Sequence, residues 1–453
     1  MMSRRLSNAL FSGLSAVVRT QSGVTQHELC AADCAAAFRR QLFSTTTDAP
    51  AQLVEESMDF PGGKVPFTTQ LTMHGGPTSN TPPMGCYRTM DSAGADIAGA
   101  DIPHQIGQDL ATKMYSTMAA LQIVDTVFYE AQRQGRFSFF MTSAGEEATA
   151  VASAAALTLE DTVFTQYREH GVMMWRGYTI LQMAHQCYGN RLGHGKGRQM
   201  PIHYGSKELN FHTISSPLAT QLPHAVGAAY ALKLDGKQAC VAVYFGEGAA
   251  SEGDFHAAVN FASTLGAPVI FICRNNGWAI STPATEQYRG DGIAGRGPSY
   301  GIASIRVDGG DARAVYNATA EARRIAVANS CPVLVEAMSY RSGHHSTSDD
   351  SSRYRTTDEM NRWRARDPVM RFQSLLLAND WWDAEKEKDL RLSLRKEVLR
   401  ALEAAQKEPK APLSDLFTDV YKDMPWHLKE QMADAMAHAK AHPEACPSDI
   451  PVQ

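Results

Sequence analysis

The chain alternates between two kinds of segment, and that alternation restricts its fold more than any other feature. Short runs rich in β-branched and aromatic residues read as strands: VFTQY (163–167), ACVAVYF (239–245), PVIFIC (268–273), SIRVDG (304–309) and PVLVEAM (332–338). Helical patterns lie between them at 217–233, 253–265 and 311–328, the arrangement of crossovers in a parallel sheet. Ahead of these, Leu110, Met114, Met118, Leu121, Val124 and Phe128 recur every three or four residues, which predicts a long amphipathic helix. The fold class is therefore α/β, a mostly parallel sheet flanked by helices. Glycine-rich turns follow several strand ends, where open sheets of this kind bind their ligands.

The flanking segments differ in kind. Residues 1–27 hold arginines and serines but no acid, with Leu6, Leu10, Leu14, Val17 and Val18 near helical spacing, the composition of a mitochondrial transit peptide. RRQLFST (39–45) is similar to a processing site, so residues 1–43 are set apart as targeting sequence. Residues 44–103, rich in Pro, Gly, Thr and Ser, predict an extended arm that a partner subunit fixes. Residues 104–355 form the α/β domain, and 356–453 a charged helical region. In that last part Leu390, Leu392, Leu394, Val398, Leu399 and Leu402 give one apolar face.

Composition excludes several functions. A formal charge of −5 argues against generic nucleic-acid binding. Apolar runs such as AAALTL (154–159) fall far short of a membrane span. The eight cysteines form no C-x-x-C pair, which favours buried thiols in a reducing compartment over disulfides or zinc.

Two strand readings run into chemistry. ACVAVYF leads into Gly246-Glu247-Gly248, a carboxylate in a turn whose glycines let backbone approach a ligand closely. PVIFIC leads into Arg274, Asn275 and Asn276. An acid and an amide at neighbouring strand ends can converge on one ion, and both are oxygen donors suited to Mg²⁺. Taken singly, a G-x-G is an ordinary turn and an NN pair an ordinary cap. Together they resemble the thiamine diphosphate motif.

A wider likeness follows. FGEGAASEGD, CRNNGWAISTP, EQYRGDGIAGRGPSYGI, QYREHGVMMWRGY, GKGRQMPIHYG and TISSPLATQLPHAVGAAYA resemble the alpha subunits of mitochondrial branched-chain 2-oxoacid dehydrogenases, over roughly residues 60–425. The sister pyruvate dehydrogenase alpha subunits share the plan but not HHSTSDDSS. The resemblance implies a thiamine diphosphate-binding fold, oxidative decarboxylation of branched-chain 2-oxoacids in the mitochondrial matrix, and acyl transfer to a lipoyl arm. It implies Mg²⁺ held by Glu247, Asn276 and the Trp278 carbonyl. Gln166, Tyr167, Arg168, Ser216, Arg274 and His345, with Gly246 and Gly248, then face the diphosphate and the active-site channel. Ser215, Pro217, Thr220 and Gln221 are similar to the family's K⁺ site; the same stretch also reads as a helix start with Ser216 as N-cap and Pro217 at the first helical position. Partners implied are a beta subunit in an α2β2 tetramer, a lipoyl-bearing acyltransferase core, and a regulatory kinase and phosphatase.

The segment RSGHHSTSDDSSRYR (341–355) has no hydrophobic period and predicts a surface loop. His344 and His345 are too few ligands for zinc. By resemblance His345 and Ser216 are the catalytic residues and Ser346 the phosphoacceptor, while His344, Thr347, Asp349, Asp350, Arg353 and Tyr354 order the loop. A pyruvate-specific enzyme, or a non-catalytic subunit of the same fold, are the alternative readings.

Overall fold

The computed structural model describes residues 57–60, 63–66, 68–71 and 82–452. The expected transit peptide, 1–43, lies outside the described residues. The chain divides into two units, Met1–Ser79 and Asn80–Gln453. In the first, Ser57–Phe60 pairs antiparallel with Gly63–Pro66.

The second unit is built on six parallel strands: β1 (Cys86–Tyr87), β2 (Thr162–Phe164), β3 (Val241–Gly246), β4 (Val269–Asn275), β5 (Ala303–Asp308) and β6 (Val333–Met338). Their order across the sheet is β1-β5-β6-β4-β3-β2. The central strands β3, β4 and β6 are buried nearly end to end, as a sheet covered on both faces requires. All five strands read from sequence are present. The added edge strand β1 comes from the segment read as the end of an arm. That segment is tied down by Asp311, which accepts hydrogen bonds from the backbone N–H of Thr89 at 2.6 Å and Met90 at 2.7 Å.

The helices cover both faces. α1 (Gln108–Arg133) buries Met114, Met118, Leu121, Val124 and Phe128, the spacing seen in the sequence. α2 (Glu147–Ala155) and α3 (His170–Trp175) pack against it, and α4 (Ile180–Tyr188) opens with a Thr179–Gln182 capping box. α5 (Gln221–Leu234) and α6 (Gly253–Leu265) bury the opposite face with Leu222, Val226, Phe255 and Val259. α7 (Ala312–Asn329) is capped by Asp311, whose side chain accepts from the N–H of Ala314. α8 (Thr357–Arg364), α9 (Pro368–Ala378), α10 (Ala384–Lys407) and α11 (Trp426–Ala441) follow.

Two helical expectations need correction. α5 starts at Gln221, with Thr220 rather than Ser216 in the N-cap position, because Ala219 adopts a left-handed φ of 65° that no helix admits. On α10 the buried seam runs through Val398, Ala401, Leu402 and Ala405, whereas Leu392 and Leu399 are 48% and 46% exposed. The seam is narrower than the leucine count implied. Among the described residues no helix is long and apolar enough to cross a membrane.

Candidate active site

β3 and β4 are neighbours in register, with Gly246 opposite Arg274. Glu247 and Asn276 are therefore the first residues past two adjacent carboxyl ends, and the Asn276 N–H reaches Glu247 Oε2 at 3.3 Å. Glu247 is 1% exposed. Its other oxygen, Oε1, has no hydrogen-bond partner among the described residues. Burial pushes this carboxyl above the ordinary range, because desolvation disfavours the charged form. Gly248 cannot be replaced in this turn: a Cβ would lie 2.7 Å from that of Ala279. Gly277, at φ 81°, turns the chain so that the Trp278 N–H donates back to Asn276 Oδ1 at 3.1 Å.

Around this acid lies a buried lattice of charge. Arg274, 2% exposed, donates to both Glu146 and Glu169. Glu169 Oε2 accepts from the backbone N–H groups of Gln166 at 3.0 Å and Arg168 at 3.2 Å. Gln166 Oε1 in turn accepts from the Gly246 N–H at 2.8 Å, tying the end of β3 to the turn after β2. Glu146 accepts from Asn276 Nδ2 at 2.8 Å and lies 3.9 Å from Arg168 Nε. Burial opposes the charge on Glu146, but the guanidiniums of Arg274 and Arg168 hold its carboxyl below the usual range. Removing one partner from such a lattice costs about 3–5 kcal/mol, because it strands a buried charge.

The loop after β6 closes the site. His345 Nδ1 lies 3.4 Å from Arg168 Nη2 and 3.3 Å from Arg341 Nη1, both obligate donors. The ring is therefore neutral, accepting at Nδ1 and carrying its proton on Nε2. Its pKa is pushed down to about 3, by burial first and then by the two guanidiniums. Asp349 Oδ2 accepts from the His345 N–H at 2.7 Å and from the Tyr354 hydroxyl at 2.5 Å. Tyr354 accepts from Arg341 Nη2 at 2.9 Å, and Arg355 Nη2 donates to the Gly343 carbonyl at 2.7 Å. His344 Nδ1 accepts from the Ser351 N–H at 3.0 Å and its hydroxyl at 2.9 Å.

Gln166, Tyr167, Arg168, Gly246, Glu247, Gly248, Arg274, Asn276, Trp278 and His345 line one cavity of about 130 Å³, joined by Leu218 and Arg341. Ser216 is not among these residues. It is exposed, its hydroxyl 2.8 Å from His203 Nε2. Ser215 and Pro217 are likewise exposed, and the Pro217 carbonyl accepts from Thr220 Oγ1 at 3.2 Å. Gln221 donates from Nε2 to the Tyr244 carbonyl at 2.9 Å, leaving Oε1 buried without a partner among the described residues. Ser346 is 9% exposed, and its hydroxyl accepts from the Ser348 N–H at 3.3 Å.

Of the residues expected to order the loop, His344, Asp349, Asp350 and Tyr354 do so. The Thr347 hydroxyl has no partner among the described residues. Arg353 is exposed and pairs only with Asp350, at 3.4 Å, among the described residues. Sequence reasoning missed Glu146, Glu169 and Arg341. Glu169 stands beside Arg168 in QYREHG, but nothing in GEEA (145–148) distinguishes Glu146 from an ordinary first-turn acid.

Among the described residues no group of three or more His, Cys, Asp or Glu is placed to hold a metal. Residues 115–414 match the family described as the dehydrogenase E1 component. The chain is 52% identical to 2-oxoisovalerate dehydrogenase subunit alpha 2, mitochondrial, of Arabidopsis thaliana, over 87% of this chain and 83% of that protein. It is 52% identical to the mitochondrial subunit alpha of Homo sapiens (87% and 86% covered) and 51% identical to that of Caenorhabditis elegans (86% and 91% covered).

Proposed function

The chain belongs to the dehydrogenase E1 component family, and we propose that it is the alpha subunit of a mitochondrial 3-methyl-2-oxobutanoate dehydrogenase (2-methylpropanoyl-transferring). It would act in the oxidative decarboxylation of branched-chain 2-oxoacids and the acylation of a lipoyl group on the complex's acyltransferase core. The observation that carries this reading is the unpartnered Glu247 oxygen, buried beside Asn276 at the ends of two parallel strands.

An orphaned buried carboxylate oxygen with an amide oxygen and a carbonyl nearby suits a hard divalent cation. Glu247, Asn276 and the Trp278 carbonyl would hold Mg²⁺, and Gly246 and Gly248 would let a diphosphate approach the backbone. Thiamine diphosphate, when bound, supplies the carbanion and electron sink that decarboxylation needs. The chain's own residues position and charge-balance. Glu146 and Glu169 already neutralise much of the arginine charge, so the metal becomes the main counter-charge to an anionic cofactor. Gln166 and Tyr167 shape the wall, Arg168 and Arg274 fix its geometry, and His345 offers the Nε2–H of a neutral ring, fit to donate a hydrogen bond to a developing oxyanion.

The unpartnered Gln221 oxygen fits a monovalent cation completed by Ser215, the Pro217 carbonyl and Thr220, and we assign K⁺ there. Ser216 then belongs to the mouth of the site rather than to its floor. Leu218 and Ile280 line the cavity yet are 38% and 51% exposed, an apolar rim suited to a beta subunit in an α2β2 assembly. A kinase and phosphatase acting on Ser346 complete the proposal, since a phosphate there would crowd Asp349 and the cofactor's own charge.

Turnover of the co-expressed alpha–beta pair tests this reading. It is expected to prefer 2-oxoisovalerate to pyruvate and to require thiamine diphosphate and Mg²⁺. Equal or better turnover of pyruvate would overturn the substrate assignment. Unchanged cofactor affinity in Glu247→Ala and Asn276→Ala, measured by calorimetry, would overturn the metal site.

A further inference from the structure

The cavity at Glu247 has a larger neighbour on the same side of the sheet. A second cavity of about 420 Å³ opens beyond the ends of β5 and β6, and its lining shares no residue with the first. Three guanidiniums border it, those of Arg88, Arg366 and Arg371, against one carboxylate, Asp308. That carboxylate is already committed: it accepts from Arg371 Nη1 at 2.9 Å and from the Gly310 N–H at 3.0 Å. Arg371 also donates to the Met90 and Asp91 carbonyls, both at 2.6 Å. Arg88 and Arg366 are exposed, and among the described residues neither pairs with a carboxylate. Ser339, 9% exposed, lines the cavity, and its buried hydroxyl has no partner among the described residues.

We propose that this cavity binds a phosphate group, on a small phosphate ester or as free phosphate. Excess guanidinium and an unused buried hydroxyl call for an oxyanion. The shape of the wall narrows the class. Trp363 is stacked on Tyr340 with centroids 5.1 Å apart and planes 5° from parallel, while the Arg366 guanidinium lies 5.6 Å from its ring centroid. One ring face is thus covered by Tyr340 and a guanidinium already lies against the ring, which disfavours stacking of a nucleobase. Two guanidiniums free of carboxylate partners among the described residues, each a planar fork of donors, can together satisfy more acceptor oxygens than one carboxylate offers, which favours a phosphate. Cys86, at the same cavity, adds no opposing charge, because burial pushes its thiol up to about 11. Ser339 is also the first residue of the stretch leading to Arg341 and His345, so an occupant would rest on the base of the active-site loop.

The test uses the alpha–beta assembly saturated with thiamine diphosphate and Mg²⁺, titrated calorimetrically with sodium phosphate, glycerol 3-phosphate and acetate. One phosphate site per alpha chain is expected. In Arg88→Gln/Arg366→Gln its affinity should fall about tenfold or more per arginine, with Arg88→Lys/Arg366→Lys intermediate. Tighter binding of glycerol 3-phosphate would support an ester as the occupant, and equal binding free phosphate. The absence of saturable phosphate binding, an affinity unchanged by the double glutamine substitution, or acetate binding as tightly as phosphate would overturn the proposal. Because these arginines lie outside the Glu247 cavity, failure here leaves the proposed function standing.

Discussion

Two loops flank the Glu247 cavity, and they are ordered in opposite ways. Loop 341–355 is closed on itself: Asp349, Tyr354, Arg341, Arg355 and His344 each bond to another member of the same segment. Loop 213–220 has few such bonds. Ser216 reaches out to His203, Thr220 to Pro217, and Ser215 through Leu218 are exposed. The first loop carries much of its order in its own sequence, with anchors to Arg168 and Ala144, and the second leaves oxygens and apolar surface to be satisfied by something else. A self-closed loop should be sensitive to single substitutions within it, while an open one should be sensitive to ions and partners.

The strongest way to break that contrast is Asp349→Ala, which removes the acceptor shared by His345 and Tyr354. Displacing His345 by about 1 Å should lower kcat about 100-fold, with hydrogen exchange rising across 341–355 and cofactor affinity little changed. A variant with normal kcat would show that the loop is not self-ordered.

Ser346→Glu comes next. Ser346 is buried and three residues from Asp349, so a charge there should lower overall activity about tenfold. Thr356, the N-cap of α8, accepts from the Glu359 N–H and stands outside the loop; Thr356→Ala should leave activity nearly unchanged. Full activity of Ser346→Glu, with normal lipoyl-domain acylation, would remove the switch.

A smaller effect is expected with pH. His345 and His170 both have pKa values pushed down to about 3, chiefly by burial, against about 6.5 in an unfolded chain. Below pH 6.5 the unfolded chain binds protons that the folded chain refuses, so stability should fall as pH drops from 6.5 towards 3. His345→Gln should flatten that slope in melts at pH 4–7, whereas Ser216→Ala should keep it. An identical slope in His345→Gln would mean that the ring is protonated when folded.

The smallest expected effect sharpens the other side. Exchanging K⁺ for Li⁺ should lower the Tm of the assembled enzyme by about 2–4 °C, and Gln221→Leu should abolish the difference. A K⁺ dependence that survives in Gln221→Leu would move the ion elsewhere.

What was legible in the sequence follows the same divide. The strands and α1 could be read because burial on two faces, or on one helical face, imposes a composition: β4 runs Val-Ile-Phe-Ile-Cys. Glu247 and Asn276 were legible because each follows such a strand immediately. Glu146 and Glu169 were not, since a buried acid paired with a distant arginine looks in sequence like any surface charge; the separation of 128 positions from Glu146 to Arg274 hides the pair. β1 escaped because a two-residue strand has no period. The start of α5 was misplaced because Pro217 favours helix entry while the left-handed Ala219 denies it.

The ends of the sheet bear on the life of the chain before it meets a partner. β1 has two residues and β2 three, so neither border offers a long ladder of free N–H and C=O groups to another polypeptide. The short helical turn Ala294–Tyr300 packs beside β5 where β1 stops. A freshly folded, unassembled copy is therefore guarded against strand addition, the route that leads to fibrils. Its exposure to misassociation lies in side chains such as Leu218 and Ile280, whose contacts are weak, reversible and replaceable by the correct surface when it arrives.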